Sequence, residues 1–382
     1  MMKIAIDASR AINETAGIGR YTREIVSNLL KIDSKNEYLL IFSYFKKSPA
    51  KEKAIKQFQR SNVQIKTLKI PGTLKESIWR WRLSWYNRLL EKADVFFAPS
   101  FFEVNFGLKI SQVMTIHDLT TFIYPLHRGE VISERLSKRA KEAAKIAKKI
   151  ITVSETTASD AQKYLNISGK KIKVIYPGLS ELAKPAKNLP RGLKTKSYIL
   201  FVGTIEPRKN LIGLFKAYSL LPLHLQEKHP LVIVGAKGWN AGATYDVLKT
   251  LKLEGKSKFL GYVTDTVLAK LYESCAVFCY PSIYEGFGLP VLEAFFYGAP
   301  VVTSNVSSLP EVAGKAALLV EPDEPESICK GIQRLLEGKT EVLNLQKEAQ
   351  KQVQKFSWEK AARETLKVLE EVYQEQKGRK VR

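Results

Sequence analysis

Residues Glu285-Gly-Phe-Gly-Leu-Pro-Val-Leu-Glu293 decide the fold: two carboxylates eight positions apart, with two glycines and a proline between them. An apolar run, Ala276-Val-Phe-Cys-Tyr280, precedes the stretch and ends in Pro281-Ser282, and Leu292-Glu-Ala-Phe-Phe296 closes it. The order is strand, loop, helix. Gly286 and Gly288 let backbone amides approach a ligand closely, and Pro290 suits the start of a helix, whose leading amides lack internal partners. Such an end attracts anions. Glu285 is expected on the loop and Glu293 one turn inside the helix, each gripping a different part of one ligand. The alternative is a solvated loop acid and a helix-capping acid.

The same alternation runs outward in both directions. In the first half, 3–7, 38–42, 63–67, 95–98, 112–116, 150–153 and 173–175 read as strands, and in the second half 198–202, 231–234, 258–260, 276–279, 300–303 and 317–320 do. Strands separated by helical stretches imply parallel sheets, so each half is expected to be a doubly wound α/β unit. The stretch 177–196, with prolines, glycines and lysines but no periodicity, reads as the linker, and from about residue 330 to 376 the chain reads as helical. Ligands of open parallel sheets bind outside the carboxyl ends of the strands. The candidate loops, 8–20, 117–124, 204–210, 235–239 and 282–289, all follow strands, which predicts a site in a cleft between two facing domains.

A chain of 382 residues is too long for one ordinary α/β core. Its formal net charge of +23, with a pI near 9.7, calls for anionic partners: nucleotide diphosphates, anionic lipid headgroups or nucleic acid. No zinc finger, RNP-like motif or basic helix-turn-helix supports nucleic acid. Residues 73–92 interleave Trp79, Trp81, Trp85 and Tyr86 with Lys75, Arg80, Arg82 and Arg88, which reads either as peripheral contact with an anionic membrane or as a helix packed on its sheet. No apolar run reaches the roughly 18 residues that cross a bilayer, and no signal-peptide pattern opens the chain, so a cytoplasmic protein is expected. Cys275, Cys279 and Cys329 read as reduced core residues, and no metal site is expected.

Four further groups carry chemistry. Gly17-Ile-Gly19 opens the helix expected at 20–30, where amides could meet phosphate, but Thr22 breaks the dinucleotide fingerprint and argues against hydride transfer. Arg208 and Lys209 precede a helix start near Asn210, where two cations favour a diphosphate. Donors aimed at the charge of a leaving group are worth on the order of 3 kcal/mol each. His117 ends a strand with Asp118 beside it, and Asp118 either touches a ligand or caps the following turn.

Taken together, Gly17-Ile-Gly-Arg-Tyr21, His117-Asp-Leu119, Val153-Ser-Glu155, Gly203-Thr-Ile-Glu-Pro-Arg-Lys-Asn210, the Glu285–Glu293 stretch and Ser308-Leu-Pro-Glu-Val312 resemble, in order, the signposts of the family-four retaining glycosyltransferases of GT-B fold. They span nearly the whole chain. The resemblance implies an α/β, two-domain architecture: 1–178, an acceptor-side Rossmann-like domain; 179–357, a donor-side one; 358–376, a helix crossing back to the first domain; and 377–382, a basic tail. It implies that Glu285 contacts donor-sugar hydroxyls, that Glu293 binds the nucleotide ribose, and that Phe287, Gly288 and Leu289 offer amides. Arg208 and Lys209 would hold the diphosphate, although Thr204 stands where many members place an arginine. Gly17 would approach the donor diphosphate and the acceptor cleft, with Gly19 also on the donor, His117 would lie against the donor sugar and Asp118 would touch the acceptor. Gly235 and Val263 would lie against the base. With no Asp-x-Asp in the chain, metal-independent transfer without a cofactor is expected. The reaction would carry a hexose, mannose from GDP-mannose in the first instance, to a saccharide or lipid-linked acceptor, as in bacterial mannosyltransferases of surface polysaccharide synthesis. The runners-up are another GT-B chemistry, a phosphorylase or an epimerase, and a non-catalytic membrane-surface protein of this fold.

Overall fold

The computed structural model describes residues 1–14, 17–46, 48–70, 87–88, 90–125, 129–180 and 183–380. Most of 73–92 falls outside these residues, and the reading of that segment as a membrane contact lies outside them too. The chain divides into two compact units: Met1–Ile123, Val131–Gly178 and Ser357–Arg382 form the first, and Tyr124–Glu130 and Leu179–Phe356 the second. Nothing in the sequence had signalled that Tyr124–Glu130 groups with the second unit.

Among the described residues, seven strands of the first unit form one parallel sheet: β1 Lys3–Asp7, β2 Glu37–Ser43, β3 Val63–Leu68, β4 Val95–Ala98, β5 Ser111–Ile116, β6 Lys149–Thr152 and β7 Ile172–Val174. Their order is β3-β2-β1-β4-β5-β6-β7. Six strands of the second unit form another: β8 Ile199–Val202, β9 Leu231–Val234, β10 Ser257–Gly261, β11 Val277–Tyr280, β12 Val301–Ser304 and β13 Leu318–Val320, ordered β10-β9-β8-β11-β12-β13. Both orders reverse direction beside their first strand, at β1/β4 and at β8/β11, which is the doubly wound pattern.

The burial of each strand follows from its place. Central strands covered on both faces read as unbroken apolar runs, and all four residues of β4 (Val-Phe-Phe-Ala) and of β9 (Leu-Val-Ile-Val) are buried. Edge strand β3 alternates, presenting Gln64 and Lys66 to solvent, the kind of polar edge that discourages pairing with another chain. Helices are anchored locally: Ser154 caps the helix Glu155–Leu165 by accepting from the Thr157 amide, and Asn210 caps Leu211–Leu220 by accepting from the Gly213 amide.

Four expectations change in detail. The helix after Gly17 is Ile18–Ile32, so Gly19 is a buried residue of its first turn, not part of a loop. The loop 8–20 contains a short helix, Arg10–Asn13. The stretch after residue 330 is three helices, Pro325–Glu337, Lys339–Val353 and Trp358–Lys380, because Gly338 and the turn at 354–357 interrupt it. The last helix continues through Lys380, past the end expected at Gln376, since the basic residues there oppose neither helical geometry nor the negative end of the helix dipole.

Candidate active site

Strand order, not sequence order, builds the site of the second unit. Because β8 pairs with β11, the loops that leave them run side by side, and the Ile283 amide donates to the Arg208 carbonyl at 2.9 Å. Arg208 Nη1 donates to Glu285 Oε2 at 2.7 Å and to the Tyr284 carbonyl at 2.9 Å, while its Nε and Nη2 hold Glu206 Oε1 at 3.1 and 2.7 Å. Lys209 Nζ reaches Glu285 Oε1 at 2.5 Å and the Tyr280 hydroxyl at 2.6 Å. That hydroxyl in turn donates to Glu285 Oε1 at 2.8 Å. Arg208, Lys209 and Glu285, read from the sequence as separate groups, therefore form one partly buried network, joined by Glu206 and Tyr280, which the sequence reading did not single out.

Burial alone would push the Glu285 carboxyl up, but the Arg208 guanidinium and the Lys209 ammonium outweigh it and hold the group down to about 2. Burial pulls Lys209 below the usual lysine range, against the attraction of Glu285. Burial, then Glu285, pushes the Tyr280 phenol well up, so it stays a donor. The result is a fixed pair of cations whose charge is matched by two carboxylates in a water-poor setting, where electrostatic interactions are strong.

The Glu285–Leu289 loop is held from behind. Ser308 Oγ donates to the carbonyls of Glu285 at 2.9 Å and Phe287 at 2.7 Å, and Ser307 Oγ accepts from the Glu285 amide at 3.0 Å. Phe287 is buried with its ring edge-on to Phe356, centroids 5.5 Å apart. Gly288, at φ 120°, adopts a backbone that side chains rarely take, and it caps the helix Leu289–Phe296. Glu293, in the middle of that helix, is buried and accepts from the Tyr272 hydroxyl at 3.1 Å. The loops after β8, β9 and β10 are stitched together: the Ile205 amide donates to the Ala236 carbonyl at 3.0 Å, and the Gly235 amide to the Gly261 carbonyl at 2.9 Å. Gly235 thus lies against Gly203, and Val263 is half-buried beyond Gly261.

In the first unit, His117 ends β5 with Nε2 2.8 Å from the Pro99 carbonyl oxygen, and its ring stands against Tyr21, centroids 4.6 Å apart. A carbonyl only accepts, so Nε2 carries the proton and Nδ1 is left as an acceptor. Burial lowers this histidine to about 4 despite the Pro99 contact, so the ring is neutral near pH 7. Asp118 Oδ1 accepts from the Thr120 amide at 3.1 Å, capping the turn. Gly17 precedes the helix Ile18–Ile32 at φ 56°. At the switch point of this sheet stands a second charged network missed in the sequence: Arg10 Nε donates to buried Glu103 at 2.7 Å, and the guanidinium lies 4.4 Å over the Phe102 ring. A rule that looked at both strands of each switch point would have found it.

Two doubly wound parallel sheets in one chain, the second with cations and a carboxylate converging at its switch point, define a two-domain α/β protein of the GT-B class. Residues 16–181 match Glycosyltransferase Family 4, and residues 186–355 match Glycosyl transferases group 1. The O-antigen chain mannosyltransferase B of Escherichia coli is 31% identical over 96% of this chain and 98% of that protein. The O-antigen chain mannosyltransferase RfbU of Salmonella typhimurium is 30% identical over 57% of this chain and 58% of its own. Among solved structures, the sucrose-phosphate synthase of Thermosynechococcus elongatus superimposes with a TM-score of 0.75 at 18% identity, covering 98% of this chain and 99% of that one. HepE of Anabaena, in complex with UDP-glucose, gives 0.74 at 18% identity over 97% and 100%. The chain belongs to the family-four glycosyltransferases and is a hexosyltransferase.

Proposed function

We propose that this enzyme is a retaining mannosyltransferase that takes mannose from GDP-mannose and adds it to a saccharide or lipid-linked saccharide. The observation that carries the reading is the Arg208–Glu285–Lys209 network at the β8/β11 switch point, two partly buried cations bound to Glu285 on the loop that leads into the helix Leu289–Phe296. The donor diphosphate takes these cations, and Glu285, held ionised, receives sugar hydroxyls. Glu293 takes the ribose, and Phe287, Gly288 and Leu289 bind through backbone. Gly17 and Gly19 serve the diphosphate, Gly235 and Val263 the base, Asp118 the acceptor. His117, neutral with Nδ1 open as an acceptor, takes a hydroxyl of the donor sugar.

The reaction is a same-face substitution. The bond from the sugar anomeric carbon to the diphosphate oxygen breaks, the bond to the acceptor oxygen forms on the same face, and the acceptor proton passes to the departing phosphate. Cations stabilise the charge that grows on that phosphate, which is why no metal or cofactor enters this reading. Among the described residues, no group of three or more His, Cys, Asp or Glu is placed to hold a metal ion. No described helix is long and apolar enough to cross a membrane. A lipid-linked acceptor is met from the membrane surface, and the composition of 73–92 supports peripheral contact there.

Thermal stabilisation across GDP, UDP, ADP and their sugars, without added metal, tests this reading. Selective stabilisation by GDP and GDP-mannose, lost in Glu293→Ala, is expected. Stabilisation only by a uridine or adenine nucleotide overturns the donor, and stabilisation only with divalent metal overturns the metal-independent step.

A further inference from the structure

Among the described residues, six that are not glycine hold a positive φ, between 52° and 59°. Three are asparagines, Asn166, Asn210 and Asn240, which visit that region readily, and two are exposed lysines, Lys196 and Lys252. The sixth is Ser307, at φ 59°, on the loop after β12 and in contact with the Glu285 loop. A serine is strained at such a φ, where glycine would be at ease. Strain of this kind persists only where the surrounding structure enforces it, and it collects at functional sites.

The Ser307 hydroxyl does what glycine could not. Its Oγ accepts from the Glu285 amide at 3.0 Å and donates to the Glu285 carbonyl at 2.5 Å, so one side chain takes both ends of one residue's backbone. Ser308 Oγ, fully buried, adds a second hydroxyl on the same carbonyl at 2.9 Å. Glu285 therefore has two sets of anchors. Its carboxylate is held by Arg208, Lys209 and Tyr280, and its backbone by Ser307 and Ser308.

The two sets fare differently when a donor binds. On the donor reading given above, on which this inference rests, the diphosphate draws on Arg208 and Lys209, the same cations that hold the Glu285 carboxylate. The serine contacts carry no charge for which a phosphate competes. We propose that Ser307 is a positioning residue: its hydroxyl, held on a strained backbone, fixes the Glu285 peptide so that the carboxylate stays aimed at the donor sugar once the cations turn to the diphosphate. The group that meets the sugar is Glu285, and Ser307 acts through it.

Isothermal titration of the full-length protein with GDP and with GDP-mannose, beside thermal melts, tests this. GDP lacks the sugar that Glu285 receives, so its affinity is the internal control. Ser307→Ala and Ser307→Gly both lack the hydroxyl, and both are expected to bind GDP as the wild type does and GDP-mannose about tenfold more weakly, the size of one hydrogen bond to a charged group. Ser307→Gly is expected to melt about 2–4 °C above Ser307→Ala, because only glycine is unstrained there. Ser307→Thr keeps the hydroxyl and adds a branched side chain at the strained position, so it is expected to melt below the wild type and to bind both ligands as the wild type does. Binding then follows the hydroxyl while stability follows the backbone, a split that a residue serving the fold alone does not give. Wild-type affinity for GDP-mannose in both Ser307→Ala and Ser307→Gly overturns the proposal and leaves the donor reading standing. So does an equal loss for GDP and GDP-mannose. A wild-type protein that binds neither ligand overturns the donor reading, and the proposal with it.

Discussion

Tyr280 ends β11 inside the core, and its hydroxyl joins two charges: it accepts from Lys209 at 2.6 Å and donates to Glu285 at 2.8 Å. Its ring packs on Phe278 and Phe201, so replacement by phenylalanine keeps the packing and removes only the joint. Hydrogen bonds to charged groups are worth about 1.5–3 kcal/mol, so Tyr280→Phe is expected to lower kcat/KM for the nucleotide sugar about tenfold to a hundredfold. Melting temperature should move by only a few degrees. Steady-state kinetics beside a thermal melt checks this, and wild-type kinetics in Tyr280→Phe would make the residue a core residue alone.

His117 gives the residue scale a pH signature. Its folded value near 4 lies below the unfolded value of about 6.5. Between those values the unfolded chain binds a proton that the folded ring does not, so stability is complete above about 6.5 and falls as pH drops towards 4, by at most about 3 kcal/mol. His229, also lowered by burial, acts in the same direction, so the measurement is a difference. His117→Gln, which can still donate to the Pro99 carbonyl, is expected to lose less stability than wild type between pH 7 and pH 4.5 in urea titrations. Glu285, held down to about 2, begins to lose its own contribution only as pH falls into the ordinary carboxylate range, at the foot of this window, and that loss is common to both proteins. Equal losses in the two proteins would show that His117 titrates as an ordinary histidine.

At the scale of elements, glycines mark where backbones touch. A Cβ on Gly235 would meet the Gly203 carbonyl oxygen at 2.0 Å, and its φ of 146° is already one that side chains avoid. Gly235→Ala should therefore destabilise the second unit by several kcal/mol, since backbone, unlike a side-chain tip, cannot step aside. Gly242, the first residue of the helix Gly242–Thr250, has nothing within 4 Å of an added Cβ, and Gly242→Ala should be neutral or stabilising by up to about 1 kcal/mol. Melts of the two variants side by side check the contrast. The elements themselves were legible because buried parallel strands are short apolar runs bounded by turn residues, and each of the runs at 95–98, 231–234 and 277–280 is a strand. Their neighbours were not. That Lys209 meets Glu285 depends on β8 lying beside β11, a pairing that skips two strands, and no local pattern encodes it. Tyr280 and Glu206 were hidden for the same reason: a strand-end tyrosine and a loop glutamate acquire meaning only from the charges that the sheet order brings to them.

At the scale of the whole molecule, the chain returns to its beginning. The helix Trp358–Lys380 belongs to the first unit and packs against the helix Ile18–Ile32, with Trp358 against Tyr21 at 5.5 Å and Val368, Leu369 and Val372 buried. Gly178, where the first unit's main segment ends, passes so near that a Cβ there would lie 2.0 Å from the Trp358 amide. Losing this helix removes four large apolar side chains from the core, on the order of 8 kcal/mol at 1.5–3 kcal/mol each. That equals the stability of an ordinary domain, about 5–15 kcal/mol. A chain truncated after Phe356 is therefore expected to lose the first unit and, with it, His117 and all transfer. The second unit closes its own core from Leu179–Phe356 and keeps the Arg208–Lys209–Glu285 network, so it should still be stabilised by the donor nucleotide. Limited proteolysis with nucleotide present checks both halves of this expectation. A protected fragment from the second unit alone is the expected result, and protection of both units would mean that the first holds its fold without its last helix.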